Sequence, residues 1–167
     1  MLDATVALSK PTIFWQVGNI ADGRQLVATL PLPKPDGDDR VVYMGSQAAV
    51  DVIKEAQPKA RAFSLAGGRA CASEYRLSGI WGKVPDRCRG GVMLLTLGDL
   101  GMTLWGWPNR FLERMKQADV QVIIAEDVAD GRIKGLTDMH QYGDIAHSYN
   151  GWIWIDKIED LGPALRR

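Results

Sequence analysis

The stretch RVVYMGSQAAVDVIKEAQPKARAFSLAGG, Arg40 to Gly68, decides the fold class. Val41, Val42 and Tyr43 are β-branched or aromatic, the types that fit a pleated, half-buried strand. Ser46 then offers a side-chain oxygen to the first turn of a helix, in which Val50, Ile53 and Ala56 recur at the spacing of one helical face. Pro58 has no amide hydrogen to give and stops that helix. The run 60–68, ARAFSLAGG, reads as the next strand, closed by Gly67 and Gly68. Strand, helix, strand in this order predicts a parallel β-α-β crossover, with ligands expected at the end of its second strand.

Working outward, residues 12–30 (TIFWQVGNIADGRQLVATL) form two apolar runs around Asn19–Arg24, and the Asp22-Gly23 pair has hairpin-turn chemistry, which predicts an N-terminal hairpin. Residues 31–40, PLPKPDGDDR, hold three prolines, a glycine and three aspartates and read as a flexible, solvated loop. Residues 69–91 read as loops with one short strand. Residues 92–107, VMLLTLGDLGMTLWGW, read as two strands about a Gly98–Gly101 turn, after which Pro108 opens a helix over 109–118. VQVIIAED, residues 120–127, reads as a buried strand; Asp130 and Gly131 supply a turn, with 132–137 pairing back. GWIWID, residues 151–156, is a last strand whose two faces are both apolar, so it is either covered on both sides or offers one face to a partner. The expected fold is α+β: a single globular domain over 1–167, with a mixed sheet, an N-terminal hairpin, one β-α-β unit and two main helices.

Composition narrows the function classes. A chain of 167 residues with 46% hydrophobic and 24% charged content is that of an ordinary globular protein. Twenty basic residues balance twenty acidic ones, so no global field pulls the protein to DNA or an anionic membrane. Local charge is uneven: Lys59, Arg61, Arg69, Arg76, Lys83, Arg87 and Arg89 stand against only Glu74 and Asp86, whereas Asp119, Glu126, Asp127 and Asp130 follow with no basic residue among them. No apolar run is long enough to predict a membrane span. Met1 to Pro11 lacks the marks of a secretory leader, so a cytoplasmic setting is expected. Cys71 and Cys88 are too few for a disulfide scaffold and are expected as reduced, buried thiols.

Three constellations carry chemistry. In GLTDMHQYGDIAHSYNGWIWID, residues 135–156, the side chains of Asp138, His140, Asp144 and His147 are metal-ligand types within ten residues, suited to a divalent metal ion such as zinc or manganese. They converge only if a turn at Gly143 folds them together; otherwise they are solvated loop residues. His140 or His147 beside a carboxylate would also serve as a general base, while Tyr142 and Tyr149 read as anchors to the core. In the second constellation, glycine pairs bracket Arg69, Arg76, Arg87 and Arg89, whose planar forks match phosphate, and Tyr75 and Trp81 interleave as stacking faces. A charged face on an ordinary loop is the plainer reading, since neither a Walker pattern nor a G-x-G-x-x-G is present. Third, Glu126 with Asp127 ends a buried strand, where a sheet would aim a carboxylate at a metal or a proton.

Taken together, these residues predict a small phosphate-ligand-binding enzyme, a metal-dependent nuclease or nucleotide hydrolase with Glu126, His140 and His147 as its catalytic set. The alternative is a non-enzymatic inhibitor or control protein that docks on a larger protein machine, in secretion, conjugation, defence or replication, through a Trp-rich surface. Candidate partners are a nucleotide or nucleic acid in the first case, and another protein or a second copy of the chain in the other.

Overall fold

The structure, a computed structural model, describes residues 13–17, 19–29, 41–101 and 104–165. The proline-rich loop expected over 31–40 lies outside the described residues, as does the segment before Ile13. The fold mixes helix and strand, as the α+β reading expects, and the chain divides into two compact units, Met1–Ser64 and Leu65–Arg167.

The first unit holds strands β1 (Ile13–Val17), β2 (Val41–Gly45) and β3 (Arg61–Ser64), hydrogen-bonded in that order and all parallel. The predicted crossover is present. Helix α2 (Gln47–Ala56) joins β2 to β3, and the Ser46 hydroxyl accepts the Ala49 amide hydrogen at 3.3 Å. Ala49, Val50 and Ile53 of α2 are buried with Val17, Tyr43 and Ala62 as one core. Among the described residues no hairpin follows β1. Residues Ile20–Thr29 are instead helix α1, because Asn19 and Asp22 cap each other: the Asp22 amide donates to Asn19 Oδ1 and the Asn19 amide to Asp22 Oδ2, both at 3.1 Å. The Asp-Gly pair read as a hairpin turn therefore sits inside the first turn of a helix.

The second unit is built on β4 (Val92–Thr96), β5 (Gln121–Ala125) and β8 (Trp152–Ile153), again parallel and in that order. Every residue of β4 is buried, as expected of a parallel strand covered on both faces. Two sequence expectations are corrected here. The strand over 60–68 stops at Ser64, and helix α3 (Leu65–Ser78) begins at once, replacing most of the loop expected over 69–91. Gly68, Cys71, Ala72 and Tyr75 are its buried stripe, at helical spacing, but three of those four residues are too small to announce an apolar face. Cys71 and Cys88 are joined as a disulfide, with 5.4 Å between their Cα atoms, rather than left as thiols. The bond pins the short 3-10 turn Asp86–Cys88 against α3.

After β4 the chain makes a 3-10 turn at Leu97–Asp99, so the second strand expected before Trp107 is not formed among the described residues; residues 102 and 103 lie outside them. Pro108 does open α4 (Asn109–Gln117). The short strands β6 (Asp127–Ala129) and β7 (Arg132–Lys134) pair antiparallel around Asp130 and Gly131, the turn expected there. Helices α5 (Met139–Gly143) and α6 (Ile158–Leu165) complete the order.

The strand GWIWID is shorter than its pattern suggests. Only Trp152 and Ile153 pair with β5, at the edge of the sheet, and Trp152 to Ile155 are half-buried. Tyr149 secures this edge: its hydroxyl hydrogen is shared between the carbonyls of Val122 on β5 (2.9 Å) and Trp152 on β8 (2.8 Å). Gly151 makes room for it, since any Cβ there would collide with the phenol. Burial pushes the Tyr149 hydroxyl well above its ordinary value, a rise only partly offset by the bond to Trp152. Tyr142 packs on the same core. Among the described residues no helix is long and apolar enough to cross a membrane.

Candidate functional site

The arginines of the basic segment divide by what they hold. Arg69 and Arg76 lie seven residues apart on α3, two turns along one face, and both reach Asp99 in the turn after β4. Asp99 is almost fully buried; it also accepts the Thr96 amide at 2.7 Å and the Thr96 hydroxyl at 3.0 Å. Arg69 Nη1 donates in addition to the Leu94 carbonyl at 3.3 Å. These two guanidiniums neutralise a buried carboxylate and tie α3 to the end of β4. Arg87 pairs with Glu74 at 3.3 Å and Arg89 with Asp86 at 3.2 Å, on the surface. All four residues expected to hold phosphate thus have carboxylate partners of their own.

The two aromatic candidates separate as sharply. Tyr75 is fully buried, edge-on to Phe111 with ring centroids 5.2 Å apart, and its hydroxyl donates to the Trp105 carbonyl at 2.8 Å. It has no free face for a base. Trp81, by contrast, is 78% exposed, and its neighbours Leu77 (80%) and Ile80 (53%) are also exposed. All three lie within five positions where α3 passes into its terminal 3-10 turn. Single exposed apolar residues are common on any surface, but three large ones within five positions concentrate apolar area at the end of α3.

Beside Leu77 is an open cleft of about 830 Å³, lined by the ends of α3 and α4 and by the 82–89 segment. Leu77, Gly82, Lys83, Arg89 and Arg114 line it, with Glu74 and Asp86 as its acids. Arg114 is half-buried, and its Nη1 donates to the Tyr75 hydroxyl and to the Gly79 carbonyl, each at 2.9 Å. Among the described residues no carboxylate lies within ion-pair distance of Arg114 or Lys83.

The histidine segment takes a different form from a metal centre. Asp138 caps α5, accepting the Gln141 amide at 2.9 Å; His140 lies in that helix, Asp144 ends it, and His147 follows in a turn, all of them exposed. Among the described residues no three of His, Cys, Asp and Glu are placed to hold a metal ion. Glu126 is half-buried beyond β5, where its backbone bonds Leu97 and Lys134, and it does not line the cleft. None of Glu126, His140 and His147 lines the cleft that holds Arg89 and Arg114.

Arg114, Leu77 and Ile80 were not singled out from sequence. A signal for Arg114 exists: Phe111 and Met115 are the buried stripe of α4, and Arg114 falls beside them at the i+3 position, a charge on the apolar side of a helix. No family model, curated protein or solved structure matches this chain.

Proposed function

We propose that the chain is a non-enzymatic control protein that binds a protein partner through the apolar face at the end of α3. The observation that carries this reading is the joint exposure of Leu77, Ile80 and Trp81 within five positions at the end of α3. Tryptophan on a defined platform is the residue type most often found at the energetic centre of interfaces. The platform is held from beneath: Cys71 joins α3 to the 86–88 turn, and Arg114 bonds the Gly79 carbonyl between Ser78 and Ile80. A surface ordered before binding loses less conformational freedom on association.

The test starts from a partner recovered by affinity capture and identified, whose dissociation constant is then measured by calorimetry against the purified chain. Trp81→Ala should leave the thermal melt in place, because the side chain is exposed, and should weaken binding about 30-fold, as loss of a hot-spot residue does. Unchanged affinity would reject this face as the interface.

A second reading keeps the cleft for a phosphate-bearing ligand, and the unmatched charges of Lys83 and Arg114 favour it. It extends to a nucleotide or nucleic-acid hydrolase only if a divalent metal supports turnover that His140→Ala and His147→Ala abolish. Steady-state assays on DNA, RNA and nucleoside triphosphates decide that point.

A further inference from the structure

The hydrogen bonds of Arg114 leave one edge of its guanidinium unused. Nη1 carries two hydrogens, and both are committed, one to the Tyr75 hydroxyl and one to the Gly79 carbonyl. Because the Tyr75 hydroxyl spends its own hydrogen on the Trp105 carbonyl, it is fixed as an acceptor towards Arg114. The group is thereby held in one orientation by neutral oxygens. What remains is the side-on fork of Nε–H and Nη2, for which no acceptor exists among the described residues. Gly82 lies against the guanidinium: its φ of +73° suits glycine, and a Cβ there would be in ordinary contact with the group, 3.4 Å from Nη2.

The surroundings choose among anions. Glu74 and Asp86 line the same cleft, and although Arg87 and Arg89 match them, they oppose a multiply charged guest. The C-terminal ends of α3 and α4, at Ser78 and Gln117, also line it and present the negative end of each helix dipole. A phosphate dianion meets more repulsion there than a single carboxylate does, whereas a carboxylate matches the side-on arginine fork bond for bond. Leu77 belongs both to the cleft lining and to the exposed apolar face, so acid and apolar subsites adjoin.

We propose that the Arg114 fork, assisted by Lys83, receives the carboxylate of an acidic side chain on a partner segment whose apolar neighbours lie on Leu77, Ile80 and Trp81. This rests on the partner-binding reading above and adds the chemistry of the partner: alternating acidic and large apolar residues.

The test uses the full chain labelled with 15N and three probes: a capped hexapeptide of alternating Leu and Glu, the same peptide with Gln for Glu, and inorganic phosphate. The Leu/Glu peptide should shift the Arg114 Nε–Hε signal and the Gly82 amide saturably, binding at least about ten-fold more tightly than the Leu/Gln peptide. R114Q should remove that preference, bringing the two peptides to one affinity. R114K keeps the charge but lacks the fork and should lose most of the preference too, while an amide spectrum unchanged away from residue 114 shows that the fold is retained. Equal affinity for the two peptides, still sensitive to Trp81→Ala, would overturn the carboxylate site and leave the docking face standing. Saturation by phosphate at lower concentration than by the Leu/Glu peptide would overturn the choice of carboxylate. No shift with either peptide up to about 5 mM would overturn the site and the docking face together.

Discussion

Arg76 and Arg114 lie on consecutive helices of the same unit and have opposite fates. Arg76 points at Asp99, a carboxylate that Arg69 and Thr96 also hold, so its charge is absorbed inside the molecule. Arg114 is held just as firmly, but by a hydroxyl and a carbonyl, neither of which cancels charge. The first arrangement stabilises the fold; the second fixes a cation in place and leaves it facing solvent. A count of basic residues does not distinguish them. The identity of the acceptor does, because only a carboxylate both orients and neutralises a guanidinium.

The contrast can be broken most severely by loosening the frame common to both residues. Cys71 sits on α3 between Arg69 and Arg76, and its bond to Cys88 spans 17 positions. A loop of that length implies a loss of about 3 kcal/mol when the cross-link is removed. Urea denaturation of the Cys71→Ser, Cys88→Ser double variant should show an unfolding free energy lower by that amount; an unchanged midpoint and slope would mean that the bond carries no folding energy.

Next in size is the carboxylate that separates the two arginines. Asp99→Ala leaves Arg69 and Arg76 facing each other's charge without a counter-ion. Losing one partner of a buried ion pair costs about 3 to 5 kcal/mol. Each guanidinium keeps about a third of its side chain in solvent, so screening lowers the expected loss to about 2 to 3 kcal/mol. Chemical denaturation checks the value, and a variant as stable as the parent would show that α3 does not depend on Asp99. Peptide binding at Arg114 in that same variant, measured under folding conditions, should be retained, since Arg114 shares no hydrogen bond with Asp99.

Residues 40–64 were legible because every local signal agreed. Ser46 capped, Val50 and Ile53 marked a face, Pro58 stopped the helix, and branched residues flanked it. The basic helix α3 was not legible, for a physical reason: its buried stripe uses Gly68, Cys71 and Ala72, where small size lets the helix approach its neighbours but leaves no apolar period to read. The N-terminal segment failed differently. Asp22-Gly23 suits a hairpin turn, and only the reciprocal bonds between Asn19 and Asp22 turn the same residues into a helix start. As for the site, the basic segment and Trp81 stood out by composition, whereas which cations remained unmatched depended on Asp99, Glu74 and Asp86, acids whose positions only the folded chain supplies.

Tyr149 has a further consequence as a built-in optical reporter. Its hydroxyl bridges β5 and a β8 strand only two residues long, so attachment of that edge and neutrality of the phenol go together. With its folded value raised above the ordinary 10.0, Tyr149 stays protonated in the native protein while the unfolded chain would ionise it. The sign follows: the unfolded state releases a proton that the folded state keeps, so the folded state loses stability as pH climbs past about 10. The difference in phenolate absorbance between the parent and Tyr149→Phe should therefore appear only above pH 10 and coincide with release of the 149–153 edge. A difference that appears already at the ordinary tyrosine value of about 10 would show that the edge strand opens freely.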